Sequence, residues 1–345
     1  MTERVSASSR SRSLTALVDA LWYGRHPAAI VLTPFGALFR VVADLRRRAF
    51  ISGVRKVHEV PVPVIVVGNV TAGGTGKTPL VIWLAGYLRS LGFRPAVIAR
   101  GYGGSARRWP QQVRADSDPR AVGDEAIVIA RRTRCPVAVG PDRVACAAAL
   151  LEHVECDLII SDDGLQHYAL GREIEIAVVD GIRRFGNGRC LPAGPLREPI
   201  SRLKQVDMVV TNGIAGRGEF SMKYVANQAL EINHPEHVAP FERFAVQPVH
   251  AVAGIGNPEQ FFSMLRSKGL RVIAHAFPDH HQFRAEELIF QDELPVLMTE
   301  KDAVKCEAFA APGWWSVPIT AELPELFATR LEALLAKGPH GQTTA

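Results

Sequence analysis

Short apolar runs alternate with longer amphipathic segments along most of the chain, and this alternation predicts strands and helices in turn. The apolar runs in the first part of the chain are Val64–Val67, Ala96–Ala99, Pro136–Val139, Ile174–Asp180 and Asp207–Thr211. The helices predicted between them are Pro79–Leu88, Ala126–Arg132 and Val144–Glu152. Because helical segments separate the strands, the pattern predicts an α/β fold whose mostly parallel sheet carries helices on both faces.

The α/β pattern starts again in the carboxyl-terminal part, which predicts a second, smaller α/β domain. Its strands are predicted at Val249–Ala253, Arg271–Phe277, Pro295–Thr299 and Trp315–Ile319, with a helix at Glu259–Lys268. Before this domain, Tyr224–Ile232 and Phe244–Val249 are interpreted as the two arms of a two-stranded linker. The predicted division is a disordered tail over 1–13, a helical segment over 14–56, a core over 57–218, the linker over 219–247, the smaller domain over 248–335 and a tail over 336–345.

The helical segment near the amino end is rich in apolar residues and is broken near Pro27 and Pro34. Its apolar residues are Leu17, Leu21, Trp22, Ile30, Leu32, Phe35, Leu38, Phe39 and Val42. This density beside basic residues is typical of an interfacial membrane anchor, but a helix pair packed on its own domain has the same pattern. Pro27–Phe39 is too short and too broken to span a bilayer, and no small-residue cleavage site follows that would indicate a signal peptide.

The composition is that of an ordinary globular protein. With 345 residues, of which 47% are hydrophobic and 22% charged, the chain is long enough for about two domains. The net charge of +5 is mild, but basic residues concentrate near the amino end at Arg40, Arg46, Arg47, Arg48, Arg55 and Lys56. This cluster is compatible with phospholipid headgroups or with nucleic acid. The five cysteines form no C-x-x-C pair, which argues against a zinc cluster and favours a reducing cytoplasm.

A glycine-rich stretch directly after the strand Val64–Val67 has the pattern of a phosphate-binding loop. The residues expected to hold the phosphates are Gly73, Gly74, Thr75, Gly76, Lys77 and Thr78. Backbone N–H groups and the start of the next helix would face a polyphosphate, Lys77 would reach its outer phosphates, and the Thr78 hydroxyl would bind Mg²⁺. The match is incomplete, because Thr71 occupies the first glycine position, and the alternative is a glycine-rich turn with an incidental lysine.

A second nucleotide motif is the segment CDLIISDD, which ends in Asp162 and Asp163. Apolar residues followed by two carboxylates predict a buried strand whose tip binds magnesium beside the phosphate loop. The alternative is a capped turn between strand and loop. Because the loop lysine is also present, we favour the magnesium site.

Three other places carry candidate chemistry. Arg100 and Tyr102 lie in a glycine-rich loop at the carboxyl end of a predicted strand, where ligands bind in parallel sheets. Asp124 begins a predicted helix, and for such an acid the common role is that of a cap or dipole partner. The adjacent His280 and His281 follow an acid, but side chains at neighbouring positions generally diverge, so a zinc site is not favoured.

Seven motifs occur in the order seen in one known family: VGNVTAGGTGKTP, ARGYGG, GDE, DDGLQH, LPAGPLREP, FPDHHQF and MTEKDAVK. In these motifs the chain resembles the tetraacyldisaccharide 4′-kinases, the lipid A 4′-kinases of Gram-negative bacteria. The resemblance covers nearly the whole chain and includes the threonine at position 71. It implies a P-loop kinase that transfers the γ-phosphate of ATP to the 4′-hydroxyl of tetraacyldisaccharide 1-phosphate in lipopolysaccharide biosynthesis, at the cytoplasmic face of the inner membrane.

The resemblance also implies roles for individual residues. Lys77 and Asp162 are expected to be catalytic, and Asp124 with His280 is expected to activate the acceptor hydroxyl. An imidazole oriented by a carboxylate is a reasonable proton acceptor for a sugar hydroxyl. His280 is preferred to His281 because it directly follows Asp279. The substrate-side candidates are Arg100, Tyr102, Arg143, Arg197 and Glu198.

Two functions from other classes compete with the kinase interpretation. A regulatory GTPase would carry a guanine-specific N-K-x-D segment, whereas this chain has Thr211, Asn212 and Gly213 after the corresponding strand. A membrane adaptor with a degenerate nucleotide site is disfavoured because the lysine, the threonine and both acids are present. The expected partners are therefore ATP with Mg²⁺, the lipid A disaccharide precursor and the inner-membrane lipid surface, with no nucleic acid and no obligate protein partner.

Overall fold

Two β-sheets organise the chain, whose residues 17–337 are described by a computed structural model. The larger sheet contains β1 (Val64–Gly68), β2 (Pro95–Ala99), β3 (Gln111–Val113), β4 (Val137–Val139), β5 (Leu158–Asp162), β6 (Ile174–Asp180), β7 (Met208–Asn212), β8 (Phe220–Val225) and β15 (Thr320–Glu322). The smaller sheet contains β9 (Gln228–Glu231), β10 (Val238–Pro240), β11 (Pro248–Ala253), β12 (Arg271–Ala276), β13 (Val296–Thr299) and β14 (Trp314–Val317). Their spatial orders are β15-β8-β7-β6-β1-β5-β2-β4-β3 and β10-β9-β14-β13-β11-β12.

Helices cover both faces of the larger sheet, as the alternating pattern predicts. The helices are α1 (residues 17–22), α2 (Ala28–Val31), α3 (Thr33–Ile51), α4 (Lys77–Ser90), α5 (Pro119–Val122), α6 (Asp124–Thr133), α7 (Arg143–His153), α8 (Pro258–Ser267), α9 (Glu300–Cys306) and α10 (Glu325–Leu335). On one face α4, α6 and α10 share an apolar core with the sheet, and on the other α7 does so. The pairs of neighbouring strands are parallel except at the two ends of the sheet, so the predicted fold class is confirmed.

The connection between the two sheets corrects the predicted linker. A two-stranded antiparallel ribbon does join them, and its first arm, β8 followed by β9, overlaps the predicted arm Tyr224–Ile232. The second arm is β14 followed by β15, which pair with β9 and β8 respectively. The predicted second arm, Phe244–Val249, instead ends a short 3₁₀ helix and begins β11 of the smaller sheet. The sequence-based choice favoured a partner nearby in the chain, whereas the pairing is between distant segments.

The carboxyl-terminal boundary also differs from the predicted smaller domain over 248–335. Strand β15 belongs to the larger sheet, and α10 packs on α4 through the rings of Phe327 and Trp83. The chain therefore returns to the core after completing the smaller sheet. The predicted tail over 1–13 lies outside the described residues, as does the carboxyl-terminal tail from residue 338 onwards.

The amino-terminal helices attach to the core at a few points. The buried Gly36 of α3 lies against the Cys190–Ala193 segment, and the Trp22 indole N–H donates to the Pro192 carbonyl at 3.1 Å. Most apolar side chains of α2 and α3 remain exposed, including Ile30, Val31, Phe35, Leu38, Val41, Val42 and Leu45. Among the described helices, none is both long and apolar enough to cross a membrane.

Candidate active site

A cavity of about 380 Å³ lies between the two sheets, at the carboxyl end of β1. The larger sheet contributes the loop 72–78, the loop after β2 and the tip of β5, and the smaller sheet contributes residues after β11, β12 and β13. The volume is within the range of small-molecule sites. Because parallel strands expose their following loops at one edge, the predicted motifs converge here.

The glycine-rich loop passes directly from the buried strand β1 into helix α4, which begins at Lys77. Gly76 has φ of 85°, a left-handed conformation that side chains with a Cβ rarely adopt. A Cβ at Gly76 would also overlap the hydroxyl of Tyr224, which comes from β8. The loop therefore has the backbone conformation and the helix start that bind phosphate groups.

Two cations and a carboxylate are paired at the mouth of this loop. Lys77 Nζ lies 3.3 Å from Asp163 Oδ1 and donates to Asn69 Oδ1 at 3.4 Å. Arg197 Nη1 lies 3.1 Å from the same Asp163 oxygen. Burial raises the pKa of Asp163, but the charges of Lys77 and Arg197 outweigh it and hold the pKa well below its ordinary value. Asp163 is thus ionised and shared between two positive side chains.

Asp162 has a different environment from its neighbour. Its Oδ1 is buried without a hydrogen-bond partner, and burial together with the charge of Glu125 raises its pKa to about 7. The Thr78 side chain lines the same cavity. A carboxylate oxygen without a partner and a hydroxyl that line the same cavity fit Mg²⁺, which prefers oxygen ligands and takes one or two carboxylates together with substrate phosphates and water. Among the described residues no group of three His, Cys, Asp or Glu side chains could hold a metal, so a site built wholly from such ligands is not available there.

Asp124 and His280 come from different parts of the chain and meet beside the cavity, where both line a smaller cavity of about 100 Å³. His280 Nδ1 lies 3.4 Å from Asp124 Oδ1, and its ring packs on Tyr102 with centroids 4.8 Å apart. Burial raises the pKa of Asp124, but its pairing with His280 and the charges of Lys301 and Lys305 lower it to about 2. Burial lowers the pKa of His280, yet its pairing with Asp124 outweighs burial and raises it above its ordinary value.

The neighbouring histidine is directed elsewhere. His281 Nε2 lies 3.0 Å from Glu287 Oε2, and its ring contacts Phe277 and Phe283. It does not line the cavity, whereas His280 does. The structure brings His280, the histidine preferred from the sequence, to Asp124.

The substrate-side candidates fall into two groups. Arg100, Tyr102 and Arg197 line the cavity. Arg143 is buried and donates to the Gly140, Asp162 and Asp163 carbonyls at 3.0, 3.4 and 3.4 Å, so it supports the acid segment from behind.

Glu198 is also buried behind the cavity. It accepts hydrogen bonds from Gln166 at 2.8 Å and from the Tyr168 hydroxyl. The structure does not bring Arg143 or Glu198 to the cavity wall, so their contact with substrate stays a prediction.

Several side chains at the site carry no role in the sequence-based interpretation. Lys301 pairs with Glu125, and both line the cavity. Lys305 lies beside Asp124, and Asn69 links Lys77 to the Gly73 carbonyl. These residues lie within or beside the quoted motifs VGNVTAGGTGKTP, GDE and MTEKDAVK, which is the only sequence signal that could have singled them out.

Comparisons with known proteins agree with the geometry. A family model described as tetraacyldisaccharide-1-P 4′-kinase, LpxK, matches residues 28–336. The tetraacyldisaccharide 4′-kinase of Nitrosococcus oceani is 54% identical over 321 residues, which cover 93% of this chain and 95% of the relative. That of Alkalilimnicola ehrlichii is 50% identical over 330 residues, covering 93% and 97%. A crystal structure of LpxK from Aquifex aeolicus in complex with ATP has a TM-score of 0.75 and 26% identity, covering 89% of this chain and 99% of that one.

Proposed function

We propose a function for this chain from the premise that it belongs to the tetraacyldisaccharide-1-P 4′-kinase family. The chain is a kinase of lipid A biosynthesis that phosphorylates the 4′-hydroxyl of a tetraacyldisaccharide 1-phosphate. The observation that carries this function is that the phosphate-binding loop and His280, which is paired with Asp124, line one cavity. A phosphoryl donor and an acceptor hydroxyl would therefore meet between them.

The donor is ATP, and its phosphates lie on the loop 73–78. Lys77 is released from Asp163 toward the outer phosphates, where its charge offsets the negative charge that develops during transfer. Arg197, at 3.1 Å from the same carboxylate, is the second cation within reach of the transferred group. The support for this assignment is the loop geometry and the ATP complex of the Aquifex relative.

Thr78 and Asp162 would hold Mg²⁺, and Asp163 is the third candidate ligand. The bound ion supplies positive charge that neutralises the phosphates and fixes their orientation. The support is the buried Asp162 Oδ1, which lacks a hydrogen-bond partner.

The acceptor hydroxyl gives its proton to His280, and Asp124 orients the imidazole. Nδ1 of His280 pairs with Asp124 at 3.4 Å, so Nε2, which lies 3.7 Å from Asp279 Oδ1, is the ring nitrogen that would take the proton. The ionised Asp124 then stabilises the imidazolium that forms, since a carboxylate with a pKa of about 2 stays charged near neutral pH. Arg100 and Tyr102, at the same wall, would contact the sugar.

The exposed apolar side chains of α2 and α3 are the proposed contact with the inner-membrane surface, on its cytoplasmic side. Ile30, Phe35 and Leu38 are 67%, 60% and 62% exposed, far more than packing on the chain's own domain would leave. An exposed apolar face beside arginines is the pattern of an interfacial helix. Such an attachment keeps the cavity near an acceptor whose acyl chains stay in the bilayer.

The direct test incubates the purified protein with γ-labelled ATP, Mg²⁺ and tetraacyldisaccharide 1-phosphate. We expect label to move to the 4′ position, with one ADP formed for each phosphate transferred. If ADP is released without the lipid, at a rate that the lipid does not change, the result would indicate a regulatory nucleotide hydrolase and would contradict the kinase.

A further inference from the structure

A buried lysine beside the Asp124–His280 pair has no part in the function proposed above. The Lys305 side chain is 2% exposed, and its Nζ lies 2.7 Å from Asp302 Oδ1 and 3.6 Å from Asp124 Oδ2. Lys305 belongs to α9, between β13 and β14 of the smaller sheet, whereas Asp124 opens α6 of the core. A charged side chain is costly to bury unless it is paired, so these contacts require an explanation.

The two oxygens of Asp124 have different partners. Oδ1 faces His280 Nδ1 at 3.4 Å and accepts the Glu125 backbone N–H at 2.8 Å. Oδ2 faces Lys305 Nζ. Rotation of the carboxylate about its Cβ–Cγ bond would take Oδ2 away from the ammonium group. Lys305 therefore holds the carboxylate in the rotation that presents Oδ1 to His280.

Asp302 connects this lysine to the segment that carries His280. Its side chain is fully buried, and its Oδ2 accepts the Gly254 N–H at 2.9 Å and the Thr299 hydroxyl at 2.6 Å. The Gly254 carbonyl in turn accepts the His280 N–H at 3.2 Å. His280 has φ of 57°, a strained conformation for a side chain with a Cβ, so this backbone hydrogen bond helps to fix it.

We propose that Lys305, held by Asp302, is a positioning residue that fixes the Asp124 carboxylate against His280 for transfer to the acceptor hydroxyl. This inference rests on the proposed function and deepens it. Asp302 anchors the lysine on one side and the His280 segment on the other, so a single carboxylate sets both members of the pair. The role is confined to the acceptor side, because Lys305 lines the smaller cavity with Asp124 and His280, whereas neither Lys305 nor Asp302 lines the cavity that contains the phosphate loop.

The alternative is that Lys305 only joins α6 to α9. The charged groups that act on Asp124 and His280 are His280 and Asp124 themselves with Lys301, Lys305, Glu125 and Asp279. Removing the Lys305 charge should raise the pKa of the Asp124–His280 pair, because a nearby cation stabilises a carboxylate and disfavours an imidazolium. A structural contact alone would leave the pH profile in place.

The test compares Lys305→Met with Glu307→Gln, using the full chain, ATP, Mg²⁺ and tetraacyldisaccharide 1-phosphate. Glu307 pairs with Arg131 of α6, so the control breaks an ion pair between the same two regions without touching Asp124. We expect Lys305→Met to lower kcat roughly tenfold to a hundredfold, to leave KM for ATP unchanged, and to move the acid limb of the kcat profile up by roughly one pH unit. Glu307→Gln should change neither kcat nor the limb.

A double variant separates positioning from an independent effect. If Lys305 acts through Asp124, then Asp124→Ala should cost much less in the Lys305→Met background than in the wild type. The proposal would be overturned if the losses of Asp124→Ala and Lys305→Met multiply in the double variant, or if kcat of Lys305→Met stays within twofold of wild type. Either outcome leaves the kinase function supported, because the wild type still transfers phosphate. Absence of transfer by the wild type would instead refute the proposed function.

Folding is checked by thermal melting of each variant. If Lys305→Met does not fold, the comparison passes to Lys305→Gln, which keeps the hydrogen-bonding capacity and loses the charge. The same upward shift of the acid limb is expected. If both neutral variants fail to fold while Glu307→Gln folds, Lys305 is a structural residue and the proposal is wrong.

Discussion

The two walls of the cavity are built in different ways. The phosphate wall consists of the contiguous segment 72–78 and the tip of the neighbouring strand β5. The acceptor wall collects His280 from the loop after β12 and Lys301 from α9, with Asp124 of α6 paired to His280 behind it. The phosphate loop leads directly into helix α4, so its geometry is set locally. The acceptor wall, in contrast, exists only when α6 and α9 are in contact.

The contact between α6 and α9 depends on charged groups. Glu125 pairs with Lys301, and Arg132 pairs with Glu300 at 2.8 Å. The Arg132 and Glu300 side chains are 24% and 18% exposed, so solvent screens part of their attraction. Such an interface resembles the polar interfaces between domains that move relative to one another. In the proposed function, donor binding is therefore a local property of the core, and acceptor activation is a property of the contact between the two sheets.

The largest expected effect breaks the phosphate wall. Lys77→Ala should lower kcat at least about a thousandfold, because the charge that offsets the developing negative charge on the γ-phosphate is lost. Nucleotide affinity should fall as well, and the melting temperature should change little. Lys204→Ala, at an exposed lysine away from the cavity, is the control. Turnover near the wild-type value in Lys77→Ala would show that this loop is not the phosphate site.

The second prediction breaks the acceptor wall alone. Asp124→Ala and His280→Ala should each lower kcat about a hundredfold or more, because proton transfer from the hydroxyl loses its base or the group that orients it. The double variant should cost much less than the product of the two, since the groups act as one unit. Kinetics with isothermal titration of nucleotide would check this.

Nucleotide affinity provides the contrast between the two walls. It should be unchanged in both acceptor-wall variants, whereas Lys77→Ala weakens it. His281→Ala is the matched control, because that ring faces Glu287. A multiplicative double variant, or a loss in His281→Ala equal to that in His280→Ala, would contradict the assignment of the pair.

The third prediction concerns pH. The raised pKa of His280 means that this imidazole holds its proton to higher pH than an ordinary histidine, and it must be neutral to accept another. The acid limb of kcat should therefore lie above the ordinary histidine pKa of about 6.5. Asp124→Asn should move the limb to lower pH, because the negative charge that favours the imidazolium is gone. An acid limb that stays in place in Asp124→Asn would assign it to another group.

The smallest expected effect concerns α3, which lies away from both walls. Replacing Arg46, Arg47 and Arg48 by glutamine should weaken binding to anionic vesicles, since each basic residue contributes about 1 kcal/mol near such a surface. Residual binding should also depend less on salt. Transfer to substrate in vesicles should fall several-fold more than transfer to substrate in detergent. Equal losses in the two assays, or unchanged vesicle binding, would favour packing on the chain's own domain.

The sequence by itself determined the phosphate wall. Its glycines, Lys77 and Thr78 are contiguous, and a β-branched apolar run followed by glycines can form little else than a buried strand and a tight turn into a helix. The same holds for Asp162 at the tip of β5, because parallel strands end at one edge. The alternation of strands and helices also determined the confirmed fold class.

Tertiary structure alone decided the strand pairing of the ribbon and the arrangement of the acceptor-side residues. The ribbon that joins the sheets pairs β8 and β9 with strands far along the chain, and backbone hydrogen bonds carry no sequence signal for a distant partner. The sequence preferred His280 to His281 from its place after Asp279, but only the fold shows that the His280 ring reaches Asp124 of α6. Lys305 belongs to a motif that the sequence displayed, but its place beside Asp124 arises only when α9 packs on α6 and buries its charge against two carboxylates.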